Sequence, residues 1–171
     1  PLGLAESPAV TDDFFDDAAF FGNSLVDGLR IYGGLKSGDF FAATSASVIN
    51  VELTKNARLS TGEECTLFQA LTEKQYGKIY VLLGINEIGF EPDYFIQLYS
   101  ALLGRIAEAE PGAELYIMSL TPVTKSTSDT SSVFNLARIR AYNEALFSLA
   151  EQCGSKFLDL ECALSDAFGY L

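Results

Sequence analysis

The sequence predicts a three-layer α/β/α domain on a doubly wound parallel sheet of about five strands, with a small hairpin excursion. Two observations predict it. Short apolar runs at 18–21, 39–43, 78–83, 114–120 and 156–160 alternate with longer amphipathic runs, which is the strand and helix alternation of a parallel sheet. The runs around 80 and 117 are apolar on nearly consecutive residues, as strands covered on both faces must be.

The elements follow in order. Residues 1–11, "PLGLAESPAVT", carry no periodic pattern and are expected to be a flexible segment, a linker or a tag remnant, so the domain is read as 12–171. The run 18–21 is the first strand, and Gly22-Asn23-Ser24 turns it into the helix that begins the amphipathic stretch to Gly33. The run 39–43 is the second strand. Between Val51 and Thr66 the alternation breaks around Thr61-Gly62, a turn signal that predicts the hairpin, with a short helix at 67–75 behind it. The third sheet strand is 78–83. From Pro92, the residues Phe95, Leu98, Leu102, Leu103 and Ile106 recur at helical spacing until Pro111-Gly112, and Pro92 suits a first helical turn. The strand 114–120 is followed by "TKSTSDTSS", whose composition predicts a flexible loop. From Val133 a second long helix runs to Gly154, a suitable C-terminal cap, and 156–160 is the last strand.

Composition bounds the function. The 23 acidic and 11 basic residues give a net charge of −12, which repels a phosphate backbone or an anionic bilayer and excludes nucleic acid as a partner. No apolar run approaches the ~20 residues of a membrane span. Cys65, Cys153 and Cys162 are odd in number and lack metal-ligand spacing; they are expected to be small buried apolar residues, at least one of them without an intramolecular partner. Asp12, Asp13, Asp16 and Asp17 form an acidic cluster expected to be a solvated face. Tyr94, Tyr99, Tyr116 and Tyr142 are expected to pack with their hydroxyls in water. No metal is called for, since no glycine-bearing ligand loop accompanies the acidic cluster, and no nucleotide or flavin cofactor, since no glycine-rich phosphate loop follows the first strand.

In a sheet of this kind ligands bind beyond the carboxyl ends of the strands. The loops leaving those ends are Gly22-Asn23-Ser24, Thr44-Ser45-Ala46-Ser47 and Gly84-Ile85-Asn86-Glu87. Ser24, at a strand-to-helix turn, sits where free backbone N–H groups stabilise negative charge. It reads either as a nucleophile or as a helix cap. Asn86 reads either as a hydrogen-bond donor into the same crevice or as a loop residue bonding its own backbone.

Taken together, "FFGNSLVDGLRIYG" at 20–33 and "YVLLGINEIG" at 80–89 resemble the SGNH (GDSL-type) hydrolases, serine esterases with a flavodoxin-like α/β/α fold. The family's Gly-Asp-Ser block stands here as Gly22-Asn23-Ser24, and its Gly-x-Asn-Asp block as Gly84-Ile85-Asn86-Glu87. The resemblance implies Ser24 as nucleophile, its own N–H and the Asn86 side chain as oxyanion donors, and Ser45, in the place of the family's glycine, as a further backbone donor. It also implies that Asn23 and Glu87 contact a small-molecule ester, with an acetylated carbohydrate or a short acyl chain as the first candidate. Relatives are often exported, which implies an extracytoplasmic or cell-envelope location.

The family's last block, Asp-x-x-His, supplies the general base, and the 171 residues contain no histidine. The expectation is a domain lacking its C-terminal Asp-x-x-His segment and inactive by itself, because a serine hydroxyl without a base is a weak nucleophile. Glu161, Asp166 and Glu87 are poor substitutes at ordinary carboxylate pKa, and Cys65 has no histidine to activate it. The alternative from another functional class is a non-catalytic ligand-binding module on the same scaffold.

Overall fold

The structure, a computed structural model, describes residues 2–5 and 8–171. After a 3-10 turn at Asp12–Phe15 come β1 (Ala18–Gly22), α1 (Ser24–Tyr32), β2 (Asp39–Ala42), β3 (Lys55–Arg58), β4 (Glu64–Thr66) and α2 (Leu67–Leu71). β5 (Lys78–Leu82), a 3-10 turn at Ile85–Glu87, α3 (Pro92–Ala109), β6 (Glu114–Met118), α4 (Lys125–Thr130), α5 (Leu136–Cys153), β7 (Lys156–Leu158) and α6 (Leu160–Leu164) complete it. Five strands form one parallel sheet in the order β2-β1-β5-β6-β7, and β3 and β4 form the antiparallel hairpin beside it.

Successive side chains of a strand point to opposite faces, and the core divides accordingly. Ala19, Phe21, Ile79, Val81 and Ile117 pack with Leu67 and Leu71 of α2, Phe95, Tyr99, Leu102 and Ile106 of α3, and Ile139, Tyr142 and Leu146 of α5. Ala18, Phe20, Tyr80, Leu82, Tyr116 and Met118 face the other way, onto Val26 and Leu29 of α1 and Leu160 of α6. On this second face one aromatic row crosses four strands. Phe40, Phe20, Tyr80 and Tyr116 are register partners, and their rings stack at centroid distances of 4.8, 4.9 and 4.4 Å. Each such pair adds roughly 0.5–1.5 kcal/mol beyond the area it buries. The Lys156 ammonium closes the row, 5.0 Å from the Tyr116 ring centroid.

Several expectations are corrected. The 124–132 stretch is not all loop: Thr124 caps α4 by accepting from Thr127 N, and Lys125 pairs with Asp129 one turn on. These local bonds form a helix that composition disfavours. α2 stops at Leu71, where the Thr72 hydroxyl bonds back to Phe68 O at 3.1 Å. The long helix starts at Leu136 rather than Val133, because the Asn135 side chain caps it.

Tyr99 and Tyr142 are fully buried, and their hydroxyls donate to backbone carbonyls rather than to water. Only Cys65 is buried; Cys153, at the end of α5, and Cys162, on α6, are exposed, and all three are free. Of the N-terminal segment 1–11, residues 1, 6 and 7 lie outside the described residues. Leu4 N donates to Phe157 O at 3.0 Å and Leu2 N to Asp159 Oδ2 at 2.7 Å, so this part of the segment lies along β7, the sheet's last strand.

Candidate active site

β1 lies between β2 and β5, so the loops leaving these three strands emerge side by side at their carboxyl ends. Backbone bonds continue the pairing past the sheet: Asn23 N donates to Leu82 O and Ala43 N to Gly22 O, each at 3.3 Å. Gly22 makes the approach possible, because a side chain there would collide with the Leu82 carbonyl. Gly84 turns the third loop at φ +122, and a Cβ on it would stand 2.8 Å from the Phe95 ring, so glycine is required on both counts.

Asn23, not Ser24, caps α1: its Oδ1 accepts from Leu25 N at 2.9 Å. Ser24 is the first helical residue and exposed. Among the described residues its hydroxyl makes no hydrogen bond, and its N–H, one of the donors a helix start leaves free, has no acceptor.

In the second loop, Ala46 N donates to Ala43 O at 3.1 Å, which places Ser45 third in a tight turn with φ +62. It is the only non-glycine residue with positive φ among those described, in a position where such turns favour glycine. Asn50 holds it: Nδ2 donates to Ser45 O at 2.9 Å, while Oδ1 accepts from Ser47 N. The reading of the sequence missed Asn50. The signal was the Ser47-x-x-Asn50 spacing, which allows reciprocal side-chain to backbone bonds.

The third loop carries Asn86, which is exposed and donates from Nδ2 to Ala46 O at 2.8 Å. The amide has a second N–H to offer. The loop is anchored from α5, where the Tyr142 hydroxyl donates to Glu87 O at 2.6 Å and Arg138 donates to the carbonyls of Ile88 and Phe90.

Asn23 and Glu87, expected to touch substrate, are 0% and 1% exposed, which corrects that expectation. Cap geometry turns Asn23 inward, and the 3-10 turn points Glu87 to the side opposite Asn86. Glu87 Oε1 accepts from Val48 N. Asn23 Nδ2 and Glu87 Oε2 have no hydrogen-bond partner among the described residues. Burial pushes the Glu87 carboxyl above its ordinary range, opposed in part by the bond from Val48.

The other carboxylates considered as bases are engaged. Glu161 accepts from Arg140 Nε at 2.9 Å and from Asn143 Nδ2 at 2.8 Å. Asp166 accepts from the N–H groups of Tyr170 and Phe168, which hold it below the usual carboxylate range. Burial raises the Cys65 thiol pKa, and the nearby Glu73 adds to the rise, which keeps the thiol protonated. A groove of about 550 Å³ opens between α5, α6 and the tail, lined by Arg140, Asn143, Glu161 and Phe168 among others, and Ser24 is not part of it.

The family model described as "GDSL-like Lipase/Acylhydrolase family" matches residues 20–171. No curated protein matches the sequence. Among solved structures, one from Streptococcus pneumonia named for platelet activating factor is 19% identical with a TM-score of 0.68, covering 92% of this chain and 72% of that one. A GDSL-like lipase from Bacteroides thetaiotaomicron is 12% identical with a TM-score of 0.60, covering 90% and 73%. An acetyl xylan esterase is 12% identical with a TM-score of 0.56, covering 85% and 78%. At these identities the likeness shows a shared fold.

Proposed function

From the premise that this chain belongs to the GDSL-like lipase/acylhydrolase family, we propose that it is the serine-bearing part of an ester hydrolase. One observation carries the reading. The exposed Ser24 hydroxyl, the Ser45 N–H, which has no acceptor among the described residues, and the Asn86 amide leave three adjacent strand ends, and the Asn86–Ala46 bond ties two of those loops together. In the reaction, Ser24 Oγ forms a bond to the ester carbonyl carbon and its proton passes to a base. The carbonyl oxygen takes up negative charge among the N–H groups of Ser24 and Ser45 and the second N–H of Asn86. The C–O bond to the alcohol then breaks, the alcohol leaves with the proton, and water hydrolyses the acyl-enzyme. The 171 residues hold no histidine, so in this reading the base comes from outside them. A small acyl ester, the class named for the acetyl xylan esterase neighbour, is the substrate to try first.

The test uses the chain as it stands, with imidazole as a diffusible base. Imidazole is expected to accelerate p-nitrophenyl acetate hydrolysis by the chain beyond its effect in buffer, and Ser24→Ala to remove that increment. Equal increments in the wild type and Ser24→Ala would overturn the reading. The missing histidine also favours a second reading, a binding module that does not turn over: it requires saturable binding of an ester analogue at Ser24 with no imidazole-dependent increment.

A further inference from the structure

We propose that Glu87 is a positioning residue for the Asn86 amide, locking loop 84–91 onto loop 44–51 through its bond from the Val48 N–H. For its catalytic meaning the proposal rests on Asn86 acting as an oxyanion donor. The two consecutive residues grip one short segment from opposite sides: Asn86 donates to Ala46 O at 2.8 Å, and Glu87 accepts from Val48 N. Each bond constrains the other, because Asn86 and Glu87 share one 3-10 turn and Ala46 and Val48 are two residues apart. The two bonds span 40 and 39 residues of sequence, but the Asn86–Ala46 bond is only part-buried, where water can compete, whereas the Glu87–Val48 bond is buried. The buried bond therefore carries the register between the loops.

Glu87 makes this bond at an unusual cost. Its side chain is 1% exposed, and Oε2 has no partner among the described residues. The titratable groups that feel its charge are the phenols of Tyr99 from α3 and Tyr142 from α5, whose hydroxyls donate to the carbonyls of Val81 and Glu87, and Arg138 of α5 spends its guanidinium on the carbonyls of Ile88 and Phe90. A carboxylate without a counter-ion is expensive in such a place, and the neutral acid keeps the one bond that matters, from Val48. A glutamate serving only as surface or substrate contact would need neither burial nor a backbone partner in another loop.

Nuclear magnetic resonance on the 171-residue chain tests this without turnover. Glu87→Ala is expected to accelerate exchange of the Val48 N–H and of the Asn86 side-chain N–H by about tenfold, with strand amides such as Val81 unchanged. Glu87→Gln, whose Oε1 still accepts, is expected to restore both. In the wild type the Asn86 side-chain resonances are expected to follow one titration with its midpoint above the ordinary carboxylate range, and Glu87→Gln to abolish it. Asn86 exchange unchanged in Glu87→Ala, or Gln behaving as Ala does, would overturn the proposal. Should Glu87→Ala fail to fold, Glu87→Asp, one methylene too short to reach the Val48 N–H, takes its place, and Asn86 exchange unchanged in Glu87→Asp would do the same. Loss of the imidazole increment concerns Ser24 and leaves these signals where they are, so failure of the catalytic reading and failure of the positioning role are separable.

Discussion

The Asn86 side chain donates to the carbonyl of Ala46 at 2.8 Å, and Ala46 directly follows Ser45, the residue held at φ +62. One side-chain donor and one backbone donor of the proposed oxyanion hole are thus parts of a single hydrogen-bonded unit. Replacing Asn86 by Ala is expected to lower the imidazole-supported esterase rate by about 10²- to 10³-fold. The stability cost should stay near 1 kcal/mol, as for one partly exposed hydrogen bond. Steady-state rates beside a urea unfolding curve check both halves.

Ser24 and Asn23 divide the two roles that one serine might have held. Asn23→Ala is expected to destabilise the chain by about 1 kcal/mol, the usual worth of an N-cap. Ser24→Ala should leave the urea midpoint nearly where it is. A larger loss for Ser24→Ala than for Asn23→Ala in denaturant titration would contradict the capping assignment.

Ser45 adopts a backbone conformation that costs an L-residue roughly 1–2 kcal/mol. Ser45→Gly relieves this and adds back part of it as unfolded-state entropy, so a net gain of up to about 1 kcal/mol is expected. Ser45→Val, β-branched at a positive φ, is expected to lose about 2 kcal/mol. Chemical unfolding of the pair gives the difference directly.

Gly22 is constrained by its surroundings, and Gly84 by its surroundings and its conformation. A methyl on Gly22 meets the Leu82 carbonyl, and one on Gly84 sits 2.8 Å from Phe95 at φ +122. Gly22→Ala and Gly84→Ala are each expected to cost about 2–3 kcal/mol or more. Their thermal midpoints should fall well below that of Gly28→Ala, whose added carbon meets nothing within 4 Å.

Glu87 makes stability depend on pH with a definite sign. Its folded pKa is raised by burial, so its contribution is fully present below the unfolded value of about 4.3. It is lost as pH rises through the raised folded value. Glu87→Gln is therefore expected to be more stable than the wild type at pH 7, with the gap closing near pH 4. Urea curves at the two pH values read it, and a gap that stays constant would mean that the carboxyl titrates normally.

The strands were legible because their apolar runs are bounded by turn residues, and Gly22, Gly84, Ser24 and Asn86 because their spacing places them just past those runs. Other features depended on three-dimensional detail. Asn86 and Glu87 are neighbours in sequence, yet the 3-10 turn sends one side chain outward and the other into the core. The helical state of α4 rests on a single threonine cap and an ion pair, too little to outweigh its serine and threonine content in a reading by composition. Burial of Tyr99 and Tyr142 follows from carbonyls that only the folded chain presents to their hydroxyls.

The row of rings from Phe40 to Tyr116 gives the molecule an optical property of its own. The chain has no tryptophan, so its ultraviolet emission comes from tyrosine, and the Tyr80 and Tyr116 chromophores lie 4.4 Å apart at the middle of the sheet. Their coupled transitions should produce a near-ultraviolet dichroism band that exists only while β5 and β6 are side by side. A stopped-flow trace of that band would therefore time the zipping of the two central strands without any added label.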